Sequence, residues 1–126
     1  MPPLVLALVN DLFFYSKIRQ TAQQMGLDLA PADDEKLPQQ AVERSPQTVV
    51  IELGAGRGLE RALNAVRAVK ADPALSAIRL VGFGSHVQTD VLAAARDAGC
   101  DEVYARSEFT ARLPEILVGP RAQPGA

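Results

Sequence analysis

Apolar residues come in short continuous runs, separated by stretches in which they recur at helical spacing. Five segments have the length of a strand, and in chain order they are Leu4–Val9, Asp28–Ala30, Thr48–Leu53, Ile78–Phe83 and Glu102–Ala105. Three of these are apolar at consecutive positions, which is typical of strands covered on both faces. The pattern therefore predicts a sheet buried between two layers.

Helical spacing appears between these runs. Apolar stripes with steps of three and four residues cover Phe14–Met25, Leu59–Val69, Val91–Ala95 and Phe109–Leu117, and residues 34–43 are interpreted as a weaker helix. Gly26 and Gly99 stand where a left-handed residue would end a helix. Ser107 is placed to cap the last helix, with the acidic Glu108 in its first turn.

Strand and helix thus alternate five times along the chain. Parallel strands need crossover connections, so helices are expected on both faces of the sheet. We predict an α/β fold, a flavodoxin-like (βα)5 doubly wound parallel sheet with strand order 2-1-3-4-5. A truncated dinucleotide-binding half and a small cobalamin-type module are the alternatives. Residues 1–118 form the predicted domain, and residues 119–126, with two prolines and two glycines, form a predicted disordered tail.

The composition fits one small globular domain. The chain has 126 residues, 48% of them hydrophobic, and a formal net charge of −2. This hydrophobic fraction is too high for a disordered chain, and the small negative net charge gives no sign of a basic surface that would bind nucleic acid or an anionic membrane. No apolar run approaches the roughly 18–20 residues of a membrane span. The single cysteine, Cys100, is expected to be a small buried residue, and a cytoplasmic location suits it.

Polar side chains follow the strands of this sheet at the edge where ligands bind in doubly wound folds. In strand order the candidates are Asn10 and Asp11, then Glu52, then Gly84 and Ser85, then Arg106. Topology alone brings these residues to one edge. A solvated ion-pair network, with each exposed pair worth about 0–1 kcal/mol, is an equally good interpretation of the charges at this stage.

The glycine-rich segment after the third strand suggests a different chemistry. Val49–Gly58 resembles the first motif of S-adenosylmethionine-dependent methyltransferases, in which an acid ends a strand and a glycine loop holds the cofactor. Those enzymes also need a second strand that ends in an acid, whereas Ile78–Phe83 leads into Gly84 and Ser85. A methyl-donor or nucleotide site at Gly54–Gly58 is therefore kept as an alternative.

The whole layout, from Leu4 to about Leu117, resembles the receiver domain of two-component response regulators. The segment Ala98–Phe109, which resembles the family's fifth strand, is the most specific part. The resemblance implies that Asn10 and Asp11 stand at the family's magnesium-binding acidic pair. It also implies that Glu52 stands at the phosphoacceptor aspartate.

The resemblance continues at the next two strands, with departures. Gly84 and Ser85 stand where the family has a hydroxyl residue followed by alanine, and Arg106 stands where it has lysine. The family's aromatic switch position falls on Val103, and its neighbour Tyr104 is predicted to point to the opposite face of the sheet.

These departures imply that ordinary phosphoryl chemistry is disabled. Glu52 is one methylene longer than aspartate, and Asp11 and Glu52 are the two carboxylates to which Mg²⁺ could bind. Because Mg²⁺ demands near-octahedral oxygen ligands, we predict no cofactor at this crowded edge. Arg106 offers a planar fork suited to a carboxylate. We therefore predict a permanent Glu52–Arg106 ion pair in place of aspartyl phosphate and lysine.

The predicted function is that of a stand-alone degenerate receiver, a pseudo-receiver, which is not an enzyme. It would act in signal transduction by phosphorylation-independent protein–protein interaction. Its partner is expected at the face formed by the fourth helix, fifth strand and fifth helix, where Val91, Val103 and Leu117 lie. A homodimer is a further option. The alternatives are a working phosphorelay receiver with an unusual acceptor and a small protein that binds S-adenosylmethionine or a nucleotide.

Overall fold

Five parallel strands form one sheet in the order β2-β1-β3-β4-β5. The computed structural model describes residues 2–119. The strands are β1 (Leu4–Leu8), β2 (Asp28–Pro31), β3 (Thr48–Glu52), β4 (Arg79–Gly84) and β5 (Glu102–Ala105). Every pairing in the sheet is parallel, with Val5 opposite Thr48 and Ile51 opposite Gly82. The fold class and strand order predicted from the sequence are confirmed.

Helices cover both faces of the sheet. They are α1 (Leu12–Gln24), α2 (Leu37–Arg44), α3 (Gly56–Ala71), α4 (Thr89–Ala98), α5 (Arg106–Ala111) and α6 (Leu113–Val118), with a short 3-10 helix at Pro73–Leu75. Helices α2, α3 and α4 pack on one face, and α1, α5 and α6 on the other. Among the described residues, no helix is both long enough and apolar enough to cross a membrane.

Alternate strand residues supply the two cores. In β3, Val49 and Ile51 point to the α2–α3–α4 side, whereas Val50 points to the α1–α5–α6 side, and all three are fully buried. Because side chains alternate along a strand, a run that is apolar at every position serves both layers. The same alternation separates Val103 from Tyr104 in β5, which confirms that Tyr104 points to the opposite face.

Two of the differences between the predicted and the observed helices are explained by a proline. The second helix begins at Leu37 and not at residue 34, which places Pro38 in its first turn. The predicted last helix is two helices, broken at Arg112, which places Pro114 in the first turn of α6. Proline has no N–H group to donate and its ring clashes with the preceding turn, so it is tolerated at the start of a helix and not inside one.

The predicted cap at Ser107 is wrong. Strand β5 ends at Ala105, which has an extended backbone and is itself the cap residue of α5. Ser107 already lies inside the helix, whereas a capping side chain must come from the non-helical residue before it. Gly26 and Gly99 do follow the ends of their helices with positive φ angles of 73° and 126°.

The residues expected to form the interaction face are mostly covered. Val91 and Leu117 belong to the two cores and are buried, and Val103 is half-buried against the α2–α3–α4 side. Val91 and Leu117 therefore stabilise the fold, and Val103 is the one of the three that is partly open to solvent. Cys100 is buried as expected, and this burial, assisted by Asp101, raises the pKa of its thiol to about 11. The predicted tail lies outside the described residues apart from Gly119.

Candidate functional site

Glu52 ends β3 and is held by the backbone of the neighbouring loop. Its Oε1 atom accepts hydrogen bonds from the N–H groups of Asn10 at 2.9 Å and of Asp11 at 3.3 Å. The side chain is only 15% exposed. The β1–α1 loop therefore already binds an anion, and that anion is the protein's own carboxylate.

Asp11 is engaged with its own helix. Its Oδ1 atom accepts the N–H of Phe14 at 3.1 Å, which makes it the N-cap of α1. A capping carboxylate satisfies one of the N–H groups that lack a partner in the first helical turn. In residues 2–119, no group of three or more His, Cys, Asp or Glu side chains is arranged to hold a metal ion. Asp11 and Glu52, the two carboxylates at this edge, thus each have one oxygen that accepts backbone N–H groups.

Arg106 begins α5 on the far side of Glu52. Its Nη2 atom lies 3.7 Å from Oε2 of Glu52, within ion-pair distance but too far for a direct hydrogen bond. The guanidinium carbon lies 5.2 Å from the ring centre of Phe14 and 5.5 Å from that of Phe83. The aromatic rings hold the cation in place beside the carboxylate.

Three phenylalanines form the support under this cation. The rings of Phe83 and Phe109 stack with centres 4.3 Å apart, and those of Phe14 and Phe83 are 4.9 Å apart. They come from β4, α5 and α1, and the two rings that face the guanidinium are those of Phe14 and Phe83. Sequence reasoning missed this platform, because its three members lie far apart in the chain.

Gly84 ends β4, where it is paired with Ala105 of β5, and Ser85 follows it. A Cβ atom on Gly84 would meet Cβ of Leu53 at 3.2 Å, so a larger residue would press on the neighbouring strand end. The Ser85 hydroxyl accepts from the N–H of Val87 at 3.4 Å, a weak contact within its own loop. Of the site residues named from the sequence, the structure brings together Asn10, Asp11, Glu52 and Arg106.

The glycine segment leads from β3 into α3, next to an acidic cavity. The cavity has a volume of about 410 Å³, and its charged lining residues are Asp33, Asp34, Glu52 and Arg61. Three carboxylates against one guanidinium make the cavity unfavourable for the phosphates of a nucleotide. Gly54–Gly58 thus connects a strand to a helix, as a cofactor-binding loop does. The charges of the neighbouring cavity, however, do not favour a phosphate group.

The arrangement of the five strands and their helices is that of a known fold. The chain has the fold of response-regulator receiver domains. No protein-family model matches the sequence, and no curated protein does. The similarity to known proteins therefore lies in the fold.

Several solved structures share this fold. A CheY-like protein, TadZ, from Pseudomonas aeruginosa PAO1 is 17% identical, with 91% of this chain and 96% of that chain covered at a TM-score of 0.77. A response regulator protein from Burkholderia multivorans is 20% identical, with 100% and 99% covered at a TM-score of 0.74. The Mn²⁺-bound form of response regulator Rcp1 is 13% identical, with 93% of both chains covered at a TM-score of 0.72.

Proposed function

We propose that this protein is a degenerate receiver that acts in signal transduction by binding a protein partner, without phosphorylation and without catalysis. Glu52 takes the place of the phosphoacceptor aspartate. The observation that carries the proposal is the double engagement of its carboxylate, which accepts two backbone N–H groups with one oxygen and faces Arg106 with the other. A group that is already bound on both sides is a poor nucleophile for a phosphodonor.

The surrounding residues support the same conclusion. Receiver chemistry needs a divalent cation near the acceptor, but the Asp11 carboxylate caps α1 and Glu52 is held by N–H groups. Gly84 supplies no hydroxyl to follow a phosphoryl group. Mg²⁺ is usually bound through one or two carboxylates together with waters, and here Asp11 and Glu52 each commit one oxygen to backbone N–H groups. The protein therefore has no cofactor in this proposal.

The Glu52–Arg106 pair places a cation beside the carboxylate at the acceptor position and adds little stability. Arg106 is 41% exposed, and partly exposed ion pairs contribute about 0–1 kcal/mol. Its role is to occupy the site permanently, so the state of the domain does not depend on a phosphodonor. A working receiver with an unusual acceptor remains the alternative outcome of the test.

The test is phosphorylation by a small donor. Wild type and the Glu52→Gln variant are incubated with acetyl phosphate and Mg²⁺, and intact mass is measured. We expect no gain of a phosphoryl group in either protein and no change in amide NMR shifts on adding beryllofluoride with Mg²⁺. A stoichiometric adduct that forms on wild type and is lost in Glu52→Gln would overturn the proposal and establish Glu52 as an acceptor.

A further inference from the structure

The cavity next to the glycine segment has the size and the place of a small-molecule site. Its volume is about 410 Å³, and it lies between the loops that follow β1, β2 and β3. Sites for small ligands have volumes of about 300–1,000 Å³. In doubly wound sheets they occur at the carboxyl ends of the strands where the strand order reverses, which here is between β1 and β3.

Part of the cavity wall is apolar or has no side chain. Leu8, Ala32 and Ala62 line the cavity and are buried or half-buried, and Gly54 and Gly58 line it as well. A Cβ atom added to either glycine would have no neighbouring atom within 4 Å. The glycines therefore leave open space in which a ligand can come close to the backbone.

Two charged residues of the cavity lack a partner of opposite charge. Asp34 and Arg61 both line it, and neither forms an ion pair within the part of the chain that the structure describes. The other two acids are partly engaged, since Asp33 accepts the N–H of Glu35 at 2.8 Å and Glu52 accepts N–H groups of the β1–α1 loop. The cavity thus offers one carboxylate and one guanidinium for a ligand, with further negative charge beside them.

We propose that this cavity binds a basic α-amino acid, of which lysine is the simplest example. The Arg61 guanidinium binds the α-carboxylate, since its planar pair of N–H donors matches the two carboxylate oxygens. Asp34 binds the α-ammonium group. The remaining carboxylates, of Asp33 and Glu52, favour a positive side chain over an acidic one. The inference rests on the proposed function, because it supplies a signal for a receiver that does not respond to phosphodonors.

The charges of the cavity select an amino acid over simpler ions. A polyamine would satisfy the carboxylates but would place further positive charge beside Arg61 and leave that guanidinium without a partner. A phosphate would satisfy Arg61 but would lie among three carboxylates. A molecule that carries a carboxylate and an ammonium group on one carbon atom satisfies both kinds of residue at once.

The experiment is isothermal titration calorimetry of the full-length chain with four compounds. Lysine carries all three charged groups, cadaverine lacks the carboxylate, ε-aminocaproate lacks the α-ammonium group, and glutamate has an acidic side chain. We expect lysine to bind, and each of the other three to bind about tenfold more weakly or worse, because each loses one charged contact. Amide NMR shifts caused by lysine should be concentrated in residues 32–34 and 54–62.

Matched variants assign the two ends of the ligand. Asp34→Asn and Arg61→Gln should each weaken lysine binding about tenfold or more. Arg61→Gln should not weaken cadaverine, since that compound has no carboxylate for the guanidinium to bind. Glu60→Gln and Arg67→Gln are the controls, because they remove an exposed acid and an exposed base of α3 that do not line the cavity, and both should leave the Kd of lysine unchanged. Circular dichroism checks that every variant is folded.

Four results would overturn the inference. They are no heat of binding with lysine at millimolar concentration, shifts centred outside the cavity, equal binding of cadaverine, and tighter binding of S-adenosylmethionine than of lysine. The last result would make the cavity a methyl-donor site.

The phosphorylation assay keeps the two proposals separate. A phosphoryl adduct on Glu52 in a protein that binds lysine would contradict the proposed function alone. A protein that gains no adduct and binds no lysine would contradict the amino-acid site alone.

Discussion

The carboxylate of Glu102, on the edge strand β5, receives hydrogen bonds from two side chains. The Arg79 guanidinium donates through both Nε and Nη2, the latter at 2.8 Å, and the Tyr104 hydroxyl donates at 2.5 Å. These bonds, above all those from Arg79, hold the pKa of Glu102 below its ordinary value, against the opposing effect of burial. Burial and the neighbouring Glu102 carboxylate together raise the pKa of Tyr104.

The lowered pKa of Glu102 makes stability depend on pH in a known direction. A carboxylate whose pKa is lower in the folded state stabilises the fold above its unfolded pKa, about 4.3 for glutamate, and this contribution is lost as the pH falls through the folded value. We therefore expect the difference in free energy of unfolding between wild type and Glu102→Gln to be largest near pH 7 and to shrink below about pH 4.3.

Urea denaturation followed by circular dichroism between pH 7 and pH 3 measures this difference. Glu60→Gln is the control, because Glu60 is an exposed acid of α3 and its removal shows the effect of losing one carboxylate in general. If the curves of wild type and Glu102→Gln ran parallel over the whole range, the Arg79–Glu102 contact would have no effect on proton binding.

Asp11 shows why the site could be located from the sequence but not described from it. The order of strands alone places Asn10, Asp11, Glu52 and Arg106 at one edge, as found. Which atom each carboxylate binds depends on the direction of the loop and on helix capping. A carboxylate at the end of a strand can bind a metal ion or cap the following helix. The aspartate before the first helical residue was in fact the ordinary signal for a cap.

Two glycines in or next to helices are expected to respond in opposite ways to substitution by alanine. Gly99 ends α4 with φ at 126°, and a Cβ atom there would lie 2.6 Å from Cγ of Lys70, whose ammonium binds Asp101 at 2.8 Å. Gly58 lies in the first turn of α3, has an ordinary φ, and has no atom within 4 Å of an added Cβ. The first position needs glycine, and the second only tolerates it.

We expect Gly99→Ala to lower the free energy of unfolding by more than about 1 kcal/mol, because it adds both backbone strain and a steric conflict. Gly58→Ala should raise it by about 0.5–1 kcal/mol, since alanine restricts the unfolded chain and suits a helix. Urea denaturation of both variants provides the measurement, each serving as the control for the other. A neutral Gly99→Ala would mean that the chain relaxes freely at the end of α4.

The strands and helices were predictable to different degrees for physical reasons. The apolar run at Thr48–Leu53 predicted β3, which is observed as Thr48–Glu52, because burial on two faces leaves a continuous apolar signal. Helix ends were less accurate where proline sets them, as at Pro38 and Pro114. The Phe14–Phe83–Phe109 stack joins residues far apart in the chain, and no local pattern indicates which aromatic rings will meet.

Both cores share a single sheet, and this arrangement determines how the molecule unfolds. Neighbouring residues such as Val49 and Val50 pack on opposite sides, so neither layer can lose its packing without disturbing the strands that support the other. Ile51 lies on the α2–α3–α4 side and Ile18 on the α1–α5–α6 side, and both are fully buried. The same substitution, isoleucine to valine, can therefore be made on each face of the sheet.

We expect Ile51→Val and Ile18→Val each to lower the free energy of unfolding by about 0.5–1.5 kcal/mol. Each substitution should shift the same single unfolding transition. Tyr104 packs on the α1–α5–α6 side, so tyrosine fluorescence reports on that layer, whereas circular dichroism at helical wavelengths reports on all helices. With a single cooperative unit, Ile51→Val moves both signals by the same amount, although its own side chain lies on the other face. Had the tyrosine midpoint stayed in place while the dichroism midpoint fell, the two layers would be separate folding units, and the sheet would not transmit the loss between them.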